Sequence, residues 1–386
     1  MRSAELFAGC GGLALGLSRA GFAPVLMAEW DEDAVATVLH NRARGIEHVS
    51  GWPMAQQDVR AIDWSTLAGT LDTTSGGPPC QPFGIGGKKG GHEDPRDMWP
   101  EAIRAIREGR PRGFLFENVR NLAGPKFSGY LEWILESFRR PDELRKLGEE
   151  GETHLARLLC SKRPPSYGVG WQVVNAADYG AAQIRFRVVI FGIRLDVGAA
   201  PSTMTPTHSR DQLLWDQWVT GDYWKRHGLK APAAGPGRRD VARAQHLRGM
   251  LVPPPGLPWV TLRDAIAGLG QPDGRGNHVF RDGARVYAGH TGSELDMPSK
   301  ALKAGDHGVP GGENMIRFPD GAVRYLTTRE AARLVGLPDD FEFPRSWTES
   351  MRQMGNAVPA HLAEAAGRHL ARMLDASKGM RGAVAA

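Results

Sequence analysis

An α/β fold is predicted, with a mostly parallel sheet and a smaller second domain inserted late in the chain. Three features of the sequence predict it. Short apolar runs alternate with helix-like stretches over roughly the first 195 residues, the rhythm of βα units. A glycine turn, Gly9-Cys10-Gly11 with Ala14, falls between the first apolar run and the first helical stretch. From about residue 197 to 322 the rhythm stops, and proline, glycine, tryptophan and arginine become more frequent.

Residues 4–8 read as the first strand. Residues 13–20 read as the helix after it, with Leu13 and Leu17 on one face. Residues 24–28 read as the second strand. Asp31 or Asp33 caps the next helix, whose Ala34, Val35, Val38 and Leu39 share a face. A third strand ends near Asp58. Residues 71–75 and 113–116 are further strands, leading into two unusual strings. Residues 139–169, charged and helical and then Pro/Gly-rich, read as an insertion, and 171–175 and 187–193 as a late strand pair. Within the composition shift, Arg281-Asp282-Gly283-Ala284-Arg285 reads as hairpin-like. The βα character returns at 327–337, with Ala331, Leu334 and Val335 on one side, and a last helix covers 359–374. The division is therefore 1–196, 197–322, 323–374 and a disordered tail over 375–386.

Hydrophobic residues at 41% and charged residues at 24% are ordinary for a globular chain and exclude wholesale disorder. No apolar run reaches the ~18 residues of a membrane span, and the N-terminus lacks a signal peptide's basic and apolar regions. The three cysteines, Cys10, Cys80 and Cys160, have no paired spacing, so neither a zinc site nor a disulfide framework is expected. The expected location is the cytoplasm, at the nucleoid. The net charge of +5 permits a polyanionic partner without requiring one. The charge is uneven, however. Between Lys225 and Arg248 seven Lys/Arg face one acidic residue, Asp240, in a Gly/Pro-containing stretch suited to phosphate contact through Arg238, Arg239 and Arg243. A solvated loop is the plainer reading of the same composition.

Glycines at the first strand–helix turn let the backbone bend tightly and a nucleotide-like ligand approach. Glu29, at the end of the second strand, is placed to accept hydrogen bonds from ribose hydroxyls, and Trp30 beside it to stack an adenine. These residues alone do not separate a NAD enzyme from an S-adenosylmethionine enzyme. Cys10 and Cys160 read as buried small hydrophobes. Cys80 differs, since Gly76-Gly77-Pro78-Pro79 stiffens the approach and a glycine-rich loop with Lys88, Lys89 and Arg96 follows, able to close over a polyanion. A thiol there and a carboxylic acid in Phe116-Glu117-Asn118-Val119 stand at two successive strand ends, positions from which a ring can be attacked and protonated.

Taken together, Phe7-Ala8-Gly9-Cys10-Gly11-Gly12, Pro79-Cys80-Gln81 and Phe116-Glu117-Asn118-Val119 resemble the DNA cytosine-5 methyltransferase family. Gln183-Ile184-Arg185-Phe186-Arg187 resembles its Q-x-R-x-R string, residues 326–334 its R-E helix, and Gly355-Asn356-Ala357-Val358-Pro359 its closing G-N-x-V-P string, all in the family's order. The sequence departs from the pattern at Gly84, where serine is common, and at Val335 and Leu337, where Gln and Phe are common.

The resemblance implies a Rossmann-like S-adenosylmethionine-dependent methyltransferase sheet with an inserted target-recognition domain, DNA lying between the two. It implies Cys80 as nucleophile and Glu117 as the acid at N3. Arg185 would contact the flipped base near Glu117 and Arg187 would support the loop, with Gln81 and Asn118 completing the catalytic set. The cofactor set becomes Phe7, Gly9, Gly11, Gly12, Glu29, Trp30, Asp58, Pro78, Asn356 and Val358. The implied substrate is double-stranded DNA, methylated at C5 of cytosine in a specific site by a monomer. Such enzymes commonly serve restriction–modification beside a cognate restriction endonuclease, although the sequence shows no partner nuclease. Three rivals stand beside this reading. A homologue acting on transfer RNA uses the same strings but has a small recognition region. A catalytically silent DNA-binding module would not need Cys80, Glu117 and Arg185 intact. A NAD-dependent enzyme has only the glycine turn and Glu29 in its favour.

Overall fold

The computed structural model describes residues 1–79, 97–198, 200–288, 290–305 and 314–384, with side chains of the last helix as far as residue 376. Its centre is a seven-stranded sheet. The strands are β1 (Arg2–Leu6), β2 (Ala23–Glu29), β3 (Met54–Gln56), β4 (Thr73–Gly76), β5 (Gly113–Val119), β6 (Tyr167–Asn175) and β8 (Phe186–Arg194), in spatial order β3-β2-β1-β4-β5-β8-β6. The two-residue β7 (Gln183–Ile184) stands outside it. Strands β1 to β5 are parallel; β8 runs antiparallel to both β5 and β6.

Helices cover both faces, so the central strands are apolar on both sides. Alternation along β5 divides the two cores. Phe114 and Phe116 pack with Trp99, Ile106, Ile134 and Phe138 from α3 (Trp99–Gly109) and α4 (Ser128–Arg139). Leu115, with Val189 and Phe191 of β8, packs with Leu13 and Leu17 of α1 (Gly12–Arg19) and with Leu362 and Leu370 of α12 (Ala360–Val384). The expected Leu13/Leu17 face is thus buried. In α2 (Glu32–Ala43), Val35 and Val38 are likewise core residues, and the cap is Asp31, which accepts the Ala34 N–H at 2.9 Å. Asp33 instead pairs with Arg345 at 2.7 Å.

Within the segment expected as an insertion, α5 (Gly151–Leu159) docks on α4 through His154, which accepts the Trp133 indole N–H at 3.0 Å. Cys160 follows this helix and is exposed, not buried as the sequence suggests; the apolar side of α5 is used by Leu158.

Beyond the sheet the elements are short: β9 (His208–Ser209), α6 (Arg210–Trp218), α7 (Asp222–Arg226), α8 (Val241–Arg248), β10 (Leu257–Pro258), α9 (Leu262–Ile266), β11 (Ser293–Glu294), β12 (Ser299–Lys300), β13 (Met315–Arg317) and β14 (Val323–Tyr325). A small core of Leu213, Tyr223, Trp224 and Trp259 holds the first of these together. Leu262, Leu295, Leu302 and Ile316 pack instead into a core shared with β2, α2, α10 (Thr328–Val335) and α11 (Trp347–Asn356). Ala331, Leu334 and Val335 lie in that shared core, as their spacing suggests. No strands flank Asp282-Gly283; the nearest pairing is a single bridge between Tyr287 and His290. A glycine turn without apolar alternation on either side has nothing to pair. Helix α12 continues to Val384, through the region expected as a disordered tail.

Glu5 is the anomaly of the core. It lies in β1 on the α1 side, 2% exposed, and the Ala14 N–H in the first turn of α1 donates to its carboxyl. Its Oε1 has no hydrogen-bond partner among the described residues. Burial without a countercharge pushes the carboxyl up to about 8. Between the ordinary carboxylate range and about 8, the folded protein therefore holds a proton that the unfolded chain has lost. Stability falls as pH rises through that window and is level above it. Glu5→Gln keeps an acceptor for Ala14 and removes the titration. Urea denaturation should find the variant gaining on the wild type between pH 6 and pH 9; a pH-independent difference would mean that Glu5 is already ionised.

Candidate active site

Strand order reverses between β1 and β4. From β1 the chain winds outward through β2 and β3; β4 and β5 lie on the other side. The loops leaving the C-terminal ends of β1 and β4 diverge, and such a switch point opens a crevice. A cleft of about 920 Å³ lies there. Its walls are the loop after β1, residues 77–79 after β4, residues 117–119 at the end of β5, Arg185 and Arg187, residues 301–305, and the 352–358 segment. A second pocket of about 310 Å³ shares Phe7, Glu29, Trp30 and Pro79 with it and is closed by residues 57–60 and Met98.

Glu29 organises the wall of the cleft formed by the loops after β1 and β2. One carboxylate oxygen accepts the Gly9 N–H at 2.8 Å; the other accepts the N–H groups of Trp30 and Asp31, both at 2.9 Å. The loop it holds is bent, with Phe7 at φ 56° and Gly9 at φ 55°. Phe7 carries the cost of that region for a non-glycine residue. At Gly9 a side chain would meet nothing within 4 Å, so the backbone there is open to the cleft. Gly12 does the opposite: a Cβ would meet the Val358 carbonyl at 2.4 Å, so only glycine lets the 357–358 backbone close on the start of α1. Gly11, at φ 90°, packs on Trp52.

Trp30 stands 72% exposed at the mouth of both pockets. Asp58 follows β3 as expected, but its carboxylate is gripped by the Arg60 guanidinium, with Nε at 2.9 Å from Oδ2, and this bond holds it below the usual range. Pro78, Asn356 and Val358 all line the larger cleft.

On another wall of the cleft Glu117 lies two residues before the end of β5, 8% exposed. Its Oε1 lies 2.5 Å from Arg187 Nε, an ion pair without the alignment of a directed hydrogen bond. Burial raises the carboxyl and the two arginines, Arg187 ahead of Arg185, pull it down; burial wins. The loop after β4 rests against this group, since a Cβ on Gly77 would stand 3.4 Å from Glu117 Oε2. Asn118 ties the same loop to β5 by donating to the Pro78 carbonyl at 2.9 Å.

Arg187, expected to support the loop, is therefore the partner of Glu117. Arg185 donates to the carbonyls of Leu302 at 3.0 Å and Gly355 at 2.6 Å, bracing two walls of the cleft while lining it. Cys10 lines the cleft too, but burial pushes its thiol up to about 12, which disqualifies it as a nucleophile at neutral pH. Cys80, Gln81, Gly84, Lys88, Lys89 and Arg96 lie outside the described residues.

Two parts of the site have no warning in the sequence. Residues 301–305 form a wall held by the β12–β7 pairing and by Arg185. Arg352 lines the cleft from α11. It pairs with Glu349 one turn earlier and with Asp31, 321 residues away in the chain. Among the basic residues, Arg243 is bound to Asp211 through both carboxylate oxygens, whereas Arg238 and Arg239 have no ion-pair partner among the described residues.

Over residues 1–142, 153–222 and 284–372 the chain matches the family described as C-5 cytosine-specific DNA methylase. It is 31% identical over 377 residues to the Type II methyltransferase M.NgoMIV of Neisseria gonorrhoeae, covering 96% of this chain and 97% of that protein. It is 32% identical over 388 residues to the Type II methyltransferase M.PspPI of Psychrobacter sp. (strain TA137), covering 97% and 79%. In fold it is like the S. pombe Dnmt2 methyltransferase, with a TM-score of 0.56 at 15% identity over 97% of this chain and 98% of that one. It is similarly like the Entamoeba histolytica methyltransferase EhMeth, with a TM-score of 0.54 at 13% identity over 96% and 97%. With the glycine loop, the buried Glu117 and the closing Gly355-Asn356 segment meeting at one cleft, the chain belongs to the C-5 cytosine-specific DNA methylase family and is a DNA cytosine-5 methyltransferase.

Proposed function

We propose that the enzyme methylates C5 of a cytosine flipped out of a specific duplex DNA site, through a covalent bond between Cys80 and C6, with S-adenosylmethionine as donor. The observation that carries this reading is the environment of Glu117. A buried carboxyl, raised by desolvation, stands at the end of β5 against the loop that reaches Cys80 directly after Pro79. Cytosine C5 is a weak nucleophile. Attack of the Cys80 thiolate on C6, with Glu117 donating at N3, converts the ring to an enamine whose C5 is nucleophilic. Arg187 opposes the burial that raises the Glu117 carboxyl. Once C5 has taken the methyl group, loss of the C5 proton, return of the N3 proton to Glu117 and expulsion of the thiolate restore the aromatic ring. The target atoms are inaccessible in a stacked duplex, hence the flip.

The cleft suits the donor. The smaller pocket has Phe7, Val59 and Met98 for an adenine, with Trp30 at its rim and Glu29 and Asp58 beside it. The open Gly9 backbone leaves room for the remainder. S-adenosylmethionine supplies an electrophilic methyl group on its sulfonium. Residues 197–322 serve as the target-recognition domain, and the enzyme acts in the cytoplasm as a monomer. It is the modification component of a restriction–modification system beside a cognate endonuclease, a role supported by the Type II names of its relatives.

Cys80→Ala should abolish methylation and leave DNA binding measurable. DNA carrying 5-fluorocytosine at the target should trap the wild type, but not the variant, in an adduct that survives denaturant. Turnover by the variant at the wild-type rate would falsify the covalent route. Bisulfite mapping of DNA from expressing cells identifies the site.

The basic stretch contributes affinity and not sequence choice, because phosphates carry no sequence information. Neutralising Arg238 and Arg239 together should weaken binding to all sequences and reduce the salt slope by up to about two contacts. Arg243→Gln should matter less, since Asp211 already holds that side chain. A changed methylation site in the double variant would show instead that the stretch reads bases.

A further inference from the structure

We propose that the Asp31–Arg352 ion pair reads the α-amino-acid end of the methyl donor, with the Arg352 guanidinium taking the carboxylate and the Asp31 carboxylate the ammonium. The inference rests on the cofactor reading above and assigns two residues that the glycine loop, Glu29 and Asp58 leave out.

Both side chains line the larger cleft beside the glycine loop, although they stand 321 residues apart in the chain. Arg352 is held from two directions. Nη2 donates to Asp31 Oδ1 at 2.9 Å and Oδ2 at 2.8 Å, and Nε donates to Glu349 Oε2 at 2.7 Å. Nη1 makes no hydrogen bond among the described residues, so one edge of a fixed, planar cation is left for a ligand. Asp31 is equally fixed, since Oδ1 also accepts the Ala34 N–H at the start of α2. The two side chains keep 33% and 30% of their surface exposed. Arg352 is also close enough to the glycine loop for its charge to act on the Cys10 thiol.

The adenosine end of the donor is accounted for by the smaller pocket, so its amino-acid end extends into the larger cleft. A zwitterion leaving water needs both charges matched. Two carboxylates on one guanidinium leave this cluster negative, which suits an ammonium and disfavours a lone anion.

Calorimetry with S-adenosylhomocysteine and 5′-methylthioadenosine tests this. The second ligand keeps the adenosine and the thioether and lacks the amino acid. Wild type should prefer S-adenosylhomocysteine. Arg352→Gln should lose about tenfold or more of that ligand's affinity and bind methylthioadenosine within about twofold of wild type. Arg352→Lys should recover part of the loss. Asp31→Asn, which retains a capping oxygen, should also narrow the preference. Equal losses for both ligands would reveal a purely structural pair, and an unchanged preference in both variants would overturn the assignment. If the wild type bound neither ligand, the cofactor reading itself would fail, and this inference with it.

Discussion

The three N–H groups gathered by the Glu29 carboxylate are the constraint on which the rest of the site depends. Gly9 belongs to the loop after β1, Trp30 and Asp31 to the loop after β2. One buried side chain thus locks together the ends of two neighbouring parallel strands at the edge of the crevice. Gly9, which it holds, and Phe7 two residues before are both at positive φ, and a strained backbone persists only where its surroundings over-determine it. Three of the roughly four acceptor sites of the carboxylate are used in this way, and the one that remains is on the oxygen that holds Gly9. Loss of the carboxylate would free the two loops from each other.

At the other end of the cleft the balance is electrostatic. Desolvation favours a neutral Glu117; Arg187, 2.5 Å away, favours the anion. Burial is the larger of the two influences on Glu117, whereas Glu5 has no countercharge to oppose it. Arg185 acts differently: by donating to Leu302 and Gly355 it sets the distance between the 301–305 wall and the closing segment, and so the width of the space beside Glu117.

Much of this was legible in the sequence, for local reasons. Strands β5 and β8 announce themselves as apolar runs because both faces of the sheet are covered there. The first strand was read as 4–8 and runs Arg2–Leu6; the apolar run continues past the strand because Phe7 and Ala8 have left it to line the cleft. Glu117, Glu29 and the glycine loop could be located because each sits at a strand end. Pairings across long sequence distances could not. Asp31 with Arg352, Arg185 with the Leu302 and Gly355 carbonyls, and Arg243 with Asp211 leave no periodic trace. The Asp282-Gly283 turn shows the converse error, turn chemistry mistaken for a hairpin that has no strands.

The family match breaks between residues 222 and 284, and this is also where regular structure is thinnest. The two facts have one physical source. A cleft built on strand ends tolerates little change, because moving Glu29 or Gly12 disturbs several backbone contacts at once. The 223–283 stretch is anchored by side chains at separate points, among them the bond from the Trp259 indole to Asp178 at 2.8 Å, Leu262 in the shared core, and the small core of Leu213, Tyr223, Trp224 and Trp259. Between such anchors, surface side chains can vary without loss of stability.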